Sequence, residues 1–121
     1  MTKRKLLHKQ LTAIHSKYIR QRDGFCVVCG KRDSLECGHL FTRANKSTMY
    51  DTHPEGNCHA QCHACNQLHE SKPEYFTNWF IRRHGQEAYD TLLQRSHLIK
   101  QHTITELEEM IEELSMDLYE R

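Results

Sequence analysis

The sequence predicts an α+β fold, a small ββα module stapled by four cysteines with α-helices on both flanks. Three observations carry this expectation. Two Cys-x-x-Cys pairs, Cys26/Cys29 and Cys62/Cys65, frame the middle of the chain, with 33 positions from Cys29 to Cys62. Between them the texture is Gly, Cys, His and Asn with short apolar pieces, whereas apolar residues on either side recur at helical spacing. Hydrophobic residues make up only 37% of the 121 positions, a thin core for the length, and small cores of this kind commonly need a staple.

The elements follow in order. Residues 4–22 place Leu7, Leu11, Ile14 and Tyr18 on one helix face and Lys and Arg on the others, which reads as a basic amphipathic helix. Phe25 to Gly30 reads as a strand or turn ending in a knuckle, and residues 35–41 as a strand. Residues 42–56 form a polar loop with Pro54 and Gly56 as breakers. Residues 57–60 return as a strand, and a helix runs from Cys62 towards Glu70. Pro73 opens a helix with Tyr75, Phe76, Trp79 and Phe80 as its apolar stripe and Gly85 as its stop. That stripe is expected in the core rather than as a platform for stacking bases. A further helix covers 86–95. The capping-box pattern Thr103-x-x-Glu106 then opens a last helix reaching about Tyr119. Its Leu107, Met110, Ile111, Leu114 and Leu118 share one face, which has two open uses: folding back on the core or pairing with a second copy. The chain divides into 1–22, 23–72 and 73–121 within one compact domain.

The net charge of +1 hides an asymmetry. Residues 1–22 carry seven Lys and Arg and no acid, and residues 101–121 carry seven acids against Arg121 alone. Binding follows local rather than total charge, so near-neutrality does not exclude a nucleic-acid partner. The N-terminus has no uninterrupted apolar segment of signal-peptide type, and no stretch reaches membrane-spanning length. The expected setting is cytoplasmic, with no membrane partner. In a reducing compartment, paired Cys-x-x-Cys steps read as metal ligands rather than disulfides. Cys26, Cys29, Cys62 and Cys65 are therefore the expected ligands of a tetrahedral structural Zn²⁺. Cys37 and Cys58 are surplus. They read as small buried hydrophobes, or one replaces a knuckle thiolate, or the two join nearby histidines at a second metal.

The residues enclosed by the knuckles carry chemistry. His39, after Gly38 at the end of the first strand, can take a proton from water near neutral pH. Asn66, directly after the second knuckle at a helix start, offers a neutral oxygen to a divalent ion such as Mg²⁺. Asn57 can brace the polar loop by bonding its backbone and so orient His39. Arg43 and Lys46 in that loop, with Lys3, Arg4, Lys5, Lys9, Lys17 and Arg20 of the basic helix, are candidate DNA-phosphate contacts. His53 is a further loop candidate, and Arg82 and Arg83 extend the basic track or end a solvated helix. His59 and His63 read first as exposed side chains.

The ordered set Cys26-x-x-Cys29, Gly38-His39, Asn57 and Cys62-x-x-Cys65-Asn66 resembles the zinc-stapled HNH, or ββα-metal, endonuclease superfamily. More narrowly, LECGHLFTRANKSTMYD followed by GNCHAQCHACNQLHE and an aromatic helix resembles the phage NinG/Rap recombination proteins. The place of Asn66 is also similar to that in the recombination endonuclease VII family. The likeness covers Phe25 to Gly85. It implies a DNA endonuclease that uses Mg²⁺ or Mn²⁺ on branched recombination intermediates such as Holliday junctions and D-loops, in the cytoplasm of a bacterial host. It further implies that His39 is the general base, Asn57 the loop brace and Asn66 a ligand of the catalytic ion. A homodimer would suit the cutting of two opposed strands. The alternatives are an HNH nuclease without branch preference and a non-catalytic zinc-stabilised DNA-binding module. The chain departs from many HNH proteins in having Gly38 where an acidic metal ligand precedes the base. Asp51, His69 and Glu36 are the candidates to replace it.

Overall fold

A computed structural model describes residues 1–42 and 47–120. Its elements are α1 (Lys3–Asp23), β1 (Leu35–His39), β2 (Cys58–Cys62), α2 (His63–Ser71), α3 (Glu74–His84), α4 (Gln86–Ser96) and α5 (Ile104–Glu120). The α+β expectation holds, and each predicted helix is present with ends shifted by one or two residues. Residues 25–30 form a turn and no strand. Gly30 takes φ 85°, a left-handed conformation that glycine adopts without strain, and its N–H returns to Cys26 O at 2.8 Å.

The two strands pair antiparallel, with Leu35 opposite Cys62, Cys37 opposite Ala60 and His39 opposite Cys58. Alternation puts Cys37, His39, Cys58 and Ala60 on one face of the hairpin and Glu36, Gly38, His59 and Gln61 on the other. Both faces are covered, which is why all five residues of β2 are buried. On the first face lies α1, backed by α5. Leu11, Leu107 and Leu114 pack there with Leu7, Ile14, Tyr18, Tyr50, Met110 and Ile111. Of the two uses open to the apolar face of α5, the fold takes the one within its own chain. On the second face, Phe76 and Phe80 of α3 and Leu92 of α4 pack with Leu40, and Val27, Phe41, Trp79 and Tyr89 surround them. The aromatic stripe is core, as its spacing suggests.

Thr103 and Glu106 cap α5 reciprocally: Thr103 N–H donates to Glu106 Oε1 at 2.9 Å, and Glu106 N–H to Thr103 Oγ1 at 3.1 Å. The outer edge of β2 is closed by the end of α1. Asp23 Oδ2 accepts from Ala60 N–H at 2.7 Å, and Arg22 donates to Cys58 O and Thr52 O, each at 2.9 Å. The first knuckle adds Val27 N–H to Ala60 O at 3.0 Å. No helix among the described residues is long and apolar enough to cross a membrane.

Two histidines are core residues. His15 of α1 is 2% exposed, and so is His59. His59 sits among the rings of Phe76, Trp79 and Phe80 and bonds Gly56 O through Nε2 at 2.7 Å. The expectation of an exposed His59 is therefore corrected, because the aromatic face of α3 encloses it. Burial lowers its pKa to about 4, so the folded protein holds it neutral while an unfolded chain protonates it below about 6.5. The unfolded state then binds more protons, and the stability His59 provides, complete above about pH 6.5, drains away as pH falls towards 4. By pH 5 the expected loss is about 2 kcal/mol. Urea unfolding of zinc-saturated protein at pH 7.5 and pH 5 measures it. His59→Phe should shrink the drop, and an equal drop in both proteins would count against this assignment.

Candidate metal centre and active site

The staple is built by two turns that meet at one end of the hairpin. Cys26 and Cys29 lie in the turn after α1, Cys62 ends β2, and Cys65 lies in the first turn of α2. The four sulfurs lie within 4.8 Å of one another. Cys29 Sγ and Cys62 Sγ are 3.7 Å apart. A tetrahedral zinc with Zn–S of about 2.3 Å has sulfur–sulfur edges of about 3.8 Å, so the cluster could hold such an ion. Cys62 also caps α2, its sulfur 3.5 Å from Cys65 N–H, where the helix dipole favours a thiolate. Burial works to raise the Cys26 thiol, but backbone hydrogen bonds from Cys62, Cys29 and Val28 prevail and bring it to about 7. Burial and the neighbouring sulfurs push Cys65 up. Four thiolates cannot share this space without a cation. Cys37 and Cys58 stand apart from this cluster and replace none of its ligands.

β2 is enclosed, but the outer edge of β1 opens onto two adjoining clefts. One, of about 250 Å³, is lined by Thr12, His15 and Ser16 of α1 together with Glu36, Cys37, His39, Met49, Tyr50 and Asn66. The other, of about 530 Å³, runs between the same edge and Gln67, His69 and Glu70 of α2. Glu36, Cys37, His39 and Asn66 line both. His39 and Asn66 thus come together as the motif order anticipates. His39 Nε2 is 3.0 Å from Met49 O. A carbonyl only accepts, so in the neutral ring Nε2 carries the proton and Nδ1 the basic lone pair.

Asn57 is fully buried. Its Oδ1 accepts from Phe41 N–H at 2.8 Å and its Nδ2 donates to Phe41 O at 2.9 Å. This side chain clamps the chain two residues after His39, at the mouth of the polar loop. Asn66 Nδ2 donates to Glu36 Oε1 at 2.9 Å, and His63 Nδ1 lies 2.6 Å from Glu36 Oε2. Bonds from Asn66 and then His63 hold the Glu36 carboxyl below its ordinary range.

The three candidates for the role left open by Gly38 separate. Glu36 touches Asn66. His69 reaches the larger cleft, with Nε2 bonded to Leu40 O at 3.0 Å and Nδ1 buried without a partner among the described residues. Asp51 is not brought to Asn66. Its Oδ1 accepts from Arg95 at 2.7 Å and its Oδ2 from Asn57 N–H at 2.9 Å, so its carboxylate ties the loop to α4 and β2.

Gly38 itself has no room for a side chain. A Cβ there would collide with Gln61 Oε1 and stand 3.2 Å from Asn66 Oδ1. Gln61 is 1% exposed, and its Oε1 has no hydrogen-bond partner among the described residues. This oxygen is the site feature that sequence reasoning missed. Strand register could have found it, since Gln61 lies directly opposite Glu36.

Among the candidate DNA contacts, Lys5, Lys9 and Lys17 are exposed on α1. Lys5 and Lys9 each lie seven residues before a cleft-lining residue, Thr12 and Ser16, and so share their helix face. Arg20 lies one turn after Ser16 and donates to its carbonyl at 3.2 Å. Lys3 and Arg4 turn the other way, to Glu108 at 3.7 Å and to His102 O. Arg43 and Lys46 lie outside the described residues. His53 is exposed and accepts from Glu55 N–H at 3.0 Å, and it lines neither cleft.

The family model described as bacteriophage lambda NinG protein matches residues 1–120. The chain belongs to the NinG family. No curated protein and no solved structure matches it significantly. The NinG match spans α1 and α5 as well as the stapled hairpin, so the helices that close the first face are part of the family unit and not appendages.

Proposed function

We propose that this NinG-family chain is a divalent-metal-dependent DNA endonuclease of the HNH type, acting on branched intermediates of phage recombination. The observation that carries the reading is the meeting of His39, Glu36 and Asn66 at the open edge of β1, with Asn57 clamped behind them. The residues at this edge fit a hard divalent ion. Glu36 offers a carboxylate, and Asn66 and Gln61 offer amide oxygens next to the space that a side chain at Gly38 would fill. The buried Gln61 Oε1, which has no hydrogen-bond partner among the described residues, suits a cation. Glu36, Asn66 and Gln61 would hold it. When bound there, Mg²⁺ or Mn²⁺ would supply charge neutralisation at the phosphate and at the leaving 3′ oxygen.

The chain's own residues do the rest. His39 Nδ1 accepts the proton of the attacking water while Met49 O keeps the ring in the required tautomer. The Asn57 clamp on Phe41 keeps the strand end and the following loop in register, and His39 with them. Lys5, Lys9 and Arg20 line the approach to the smaller cleft and hold the sugar-phosphate backbone. Little in the fold offers a helix to the major groove, so the selectivity we propose is for DNA shape.

The test is a cleavage panel with Mg²⁺ or Mn²⁺ on linear duplex, nicked, flap and four-way substrates of one sequence. Preferential cutting of branched forms is expected. Equal rates on all four would leave a nuclease without branch preference. Binding without cleavage of any would favour the non-catalytic module, a reading supported by the bonds that Glu36 already makes to Asn66 and His63.

A further inference from the structure

A second cluster of metal-type donors lies between α1 and the hairpin. His15 of α1, Cys37 of β1 and Cys58 of β2 each bring one donor atom within 4.8 Å of the other two. Cys37 Sγ is 3.9 Å from His15 Nδ1. His15 is 2% exposed and Cys58 fully buried. The imidazole is set for ligation, because its Nε2 lies 2.8 Å from Asp51 O. With the proton on Nε2, the lone pair of Nδ1 faces the sulfurs, the arrangement that orients metal-bound histidines generally.

We infer that His15, Cys37 and Cys58 form a second, three-donor site for a soft divalent ion of the zinc class. The site is separate from the four-cysteine staple and does not depend on the nuclease reading. Two thiolates and an imidazole are a donor set for zinc and not for Mg²⁺. The smaller cleft, lined by His15, Cys37 and His39, adjoins it and is the side from which a fourth ligand such as water would reach the ion. Such an ion joins three elements that are far apart in sequence. It thereby fixes α1, with its exposed lysines, against the strand that carries His39. Binding displaces a proton from each thiol that still carries one, and no oxidation is involved.

The experiment is a titration of the full-length, reduced, metal-free protein with Co²⁺, followed by thiolate-to-cobalt charge-transfer absorption and by native mass spectrometry. Wild type is expected to bind two thiolate-ligated ions, each marked by charge-transfer absorption, which an ion held by the oxygen donors at Glu36 and Asn66 would lack. The step from the staple draws on four thiolates, and the second step, about half as intense, draws on two. His15→Ala and Cys37→Ser should each keep the staple step and lose the other, so the retained step shows that the variant is folded. Should His15→Ala lose both steps, Cys37→Ser decides. Wild type whose charge-transfer absorption saturates after one ion would overturn the site, as would a Cys37→Ser protein that keeps both charge-transfer steps. So would a Cys37–Cys58 disulfide in place of the second ion, seen as two thiols lost to alkylation in protein purified without reductant.

Discussion

His39→Ala is expected to slow DNA cleavage by about 10²- to 10⁴-fold, the usual range for a positioned general base, while binding to a four-way junction changes little. The reason is geometric. His39 ends β1 at the junction of both clefts, and its tautomer is held through Met49 O, so removing the ring takes away a proton acceptor and no large part of the core. Single-turnover cleavage at saturating Mg²⁺, with junction affinity measured in Ca²⁺, separates the two effects. His39→Ala protein cutting at the wild-type rate would sink the mechanism. Asn57→Ala makes a useful comparison, because it breaks both bonds to the half-buried backbone of Phe41. It should lower cleavage and stability together, whereas His39→Ala lowers cleavage alone.

Removing the staple ion should have the larger effect on the fold. Strong chelation, or Cys62→Ser, is expected to abolish cooperative unfolding of the hairpin, because small metal-stapled domains draw about 10 kcal/mol or more of apparent folding free energy from their zinc. Cys62 makes the variant severe. It ends β2, caps α2 and faces Cys29 at 3.7 Å, so one sulfur joins the strand, the helix and the first knuckle. Amide hydrogen exchange measures the outcome. Protection should vanish first in β1, β2 and α2 and persist longer where α1 meets α5. Unchanged protection in the hairpin after the ion is removed would show that the apolar clusters suffice.

The helices were legible because their apolar residues recur at helical spacing and their ends carry explicit signals. Thr103 and Glu106 cap each other as the pattern implies. The staple was legible from spacing alone. His39, Asn57 and Asn66 were legible only as an ordered set, since none carries a signal when taken singly. The buried histidines were not legible. A polar side chain gives no apolar periodicity, so the α1 stripe read as Leu7, Leu11, Ile14 and Tyr18, while its deepest contacts include His15 and Ile19. His59 was hidden for the same reason, its burial being set by α3, which follows it in the chain. Glu36 could not be told from Asp51 or His69, because which of the three meets Asn66 depends on tertiary partners. Arg95 and Asn57 occupy Asp51, and nothing near Asp51 in sequence announces either.

The packing of α5 against α1 has a consequence for encounter. A chain of net charge +1 has almost no long-range pull on a polyanion. Here, however, the acidic helix lies beside the basic one, and apart from the Lys3–Glu108 pair at 3.7 Å, Glu109, Glu112 and Glu113 are exposed on α5 while Lys5, Lys9 and Lys17 are exposed on α1. This flank of the molecule therefore carries adjoining strips of opposite sign, acidic along α5 and basic along α1. Torque, more than attraction, would govern its meeting with DNA: the acidic strip turns away from the phosphates while the lysines near the open strand edge turn towards them.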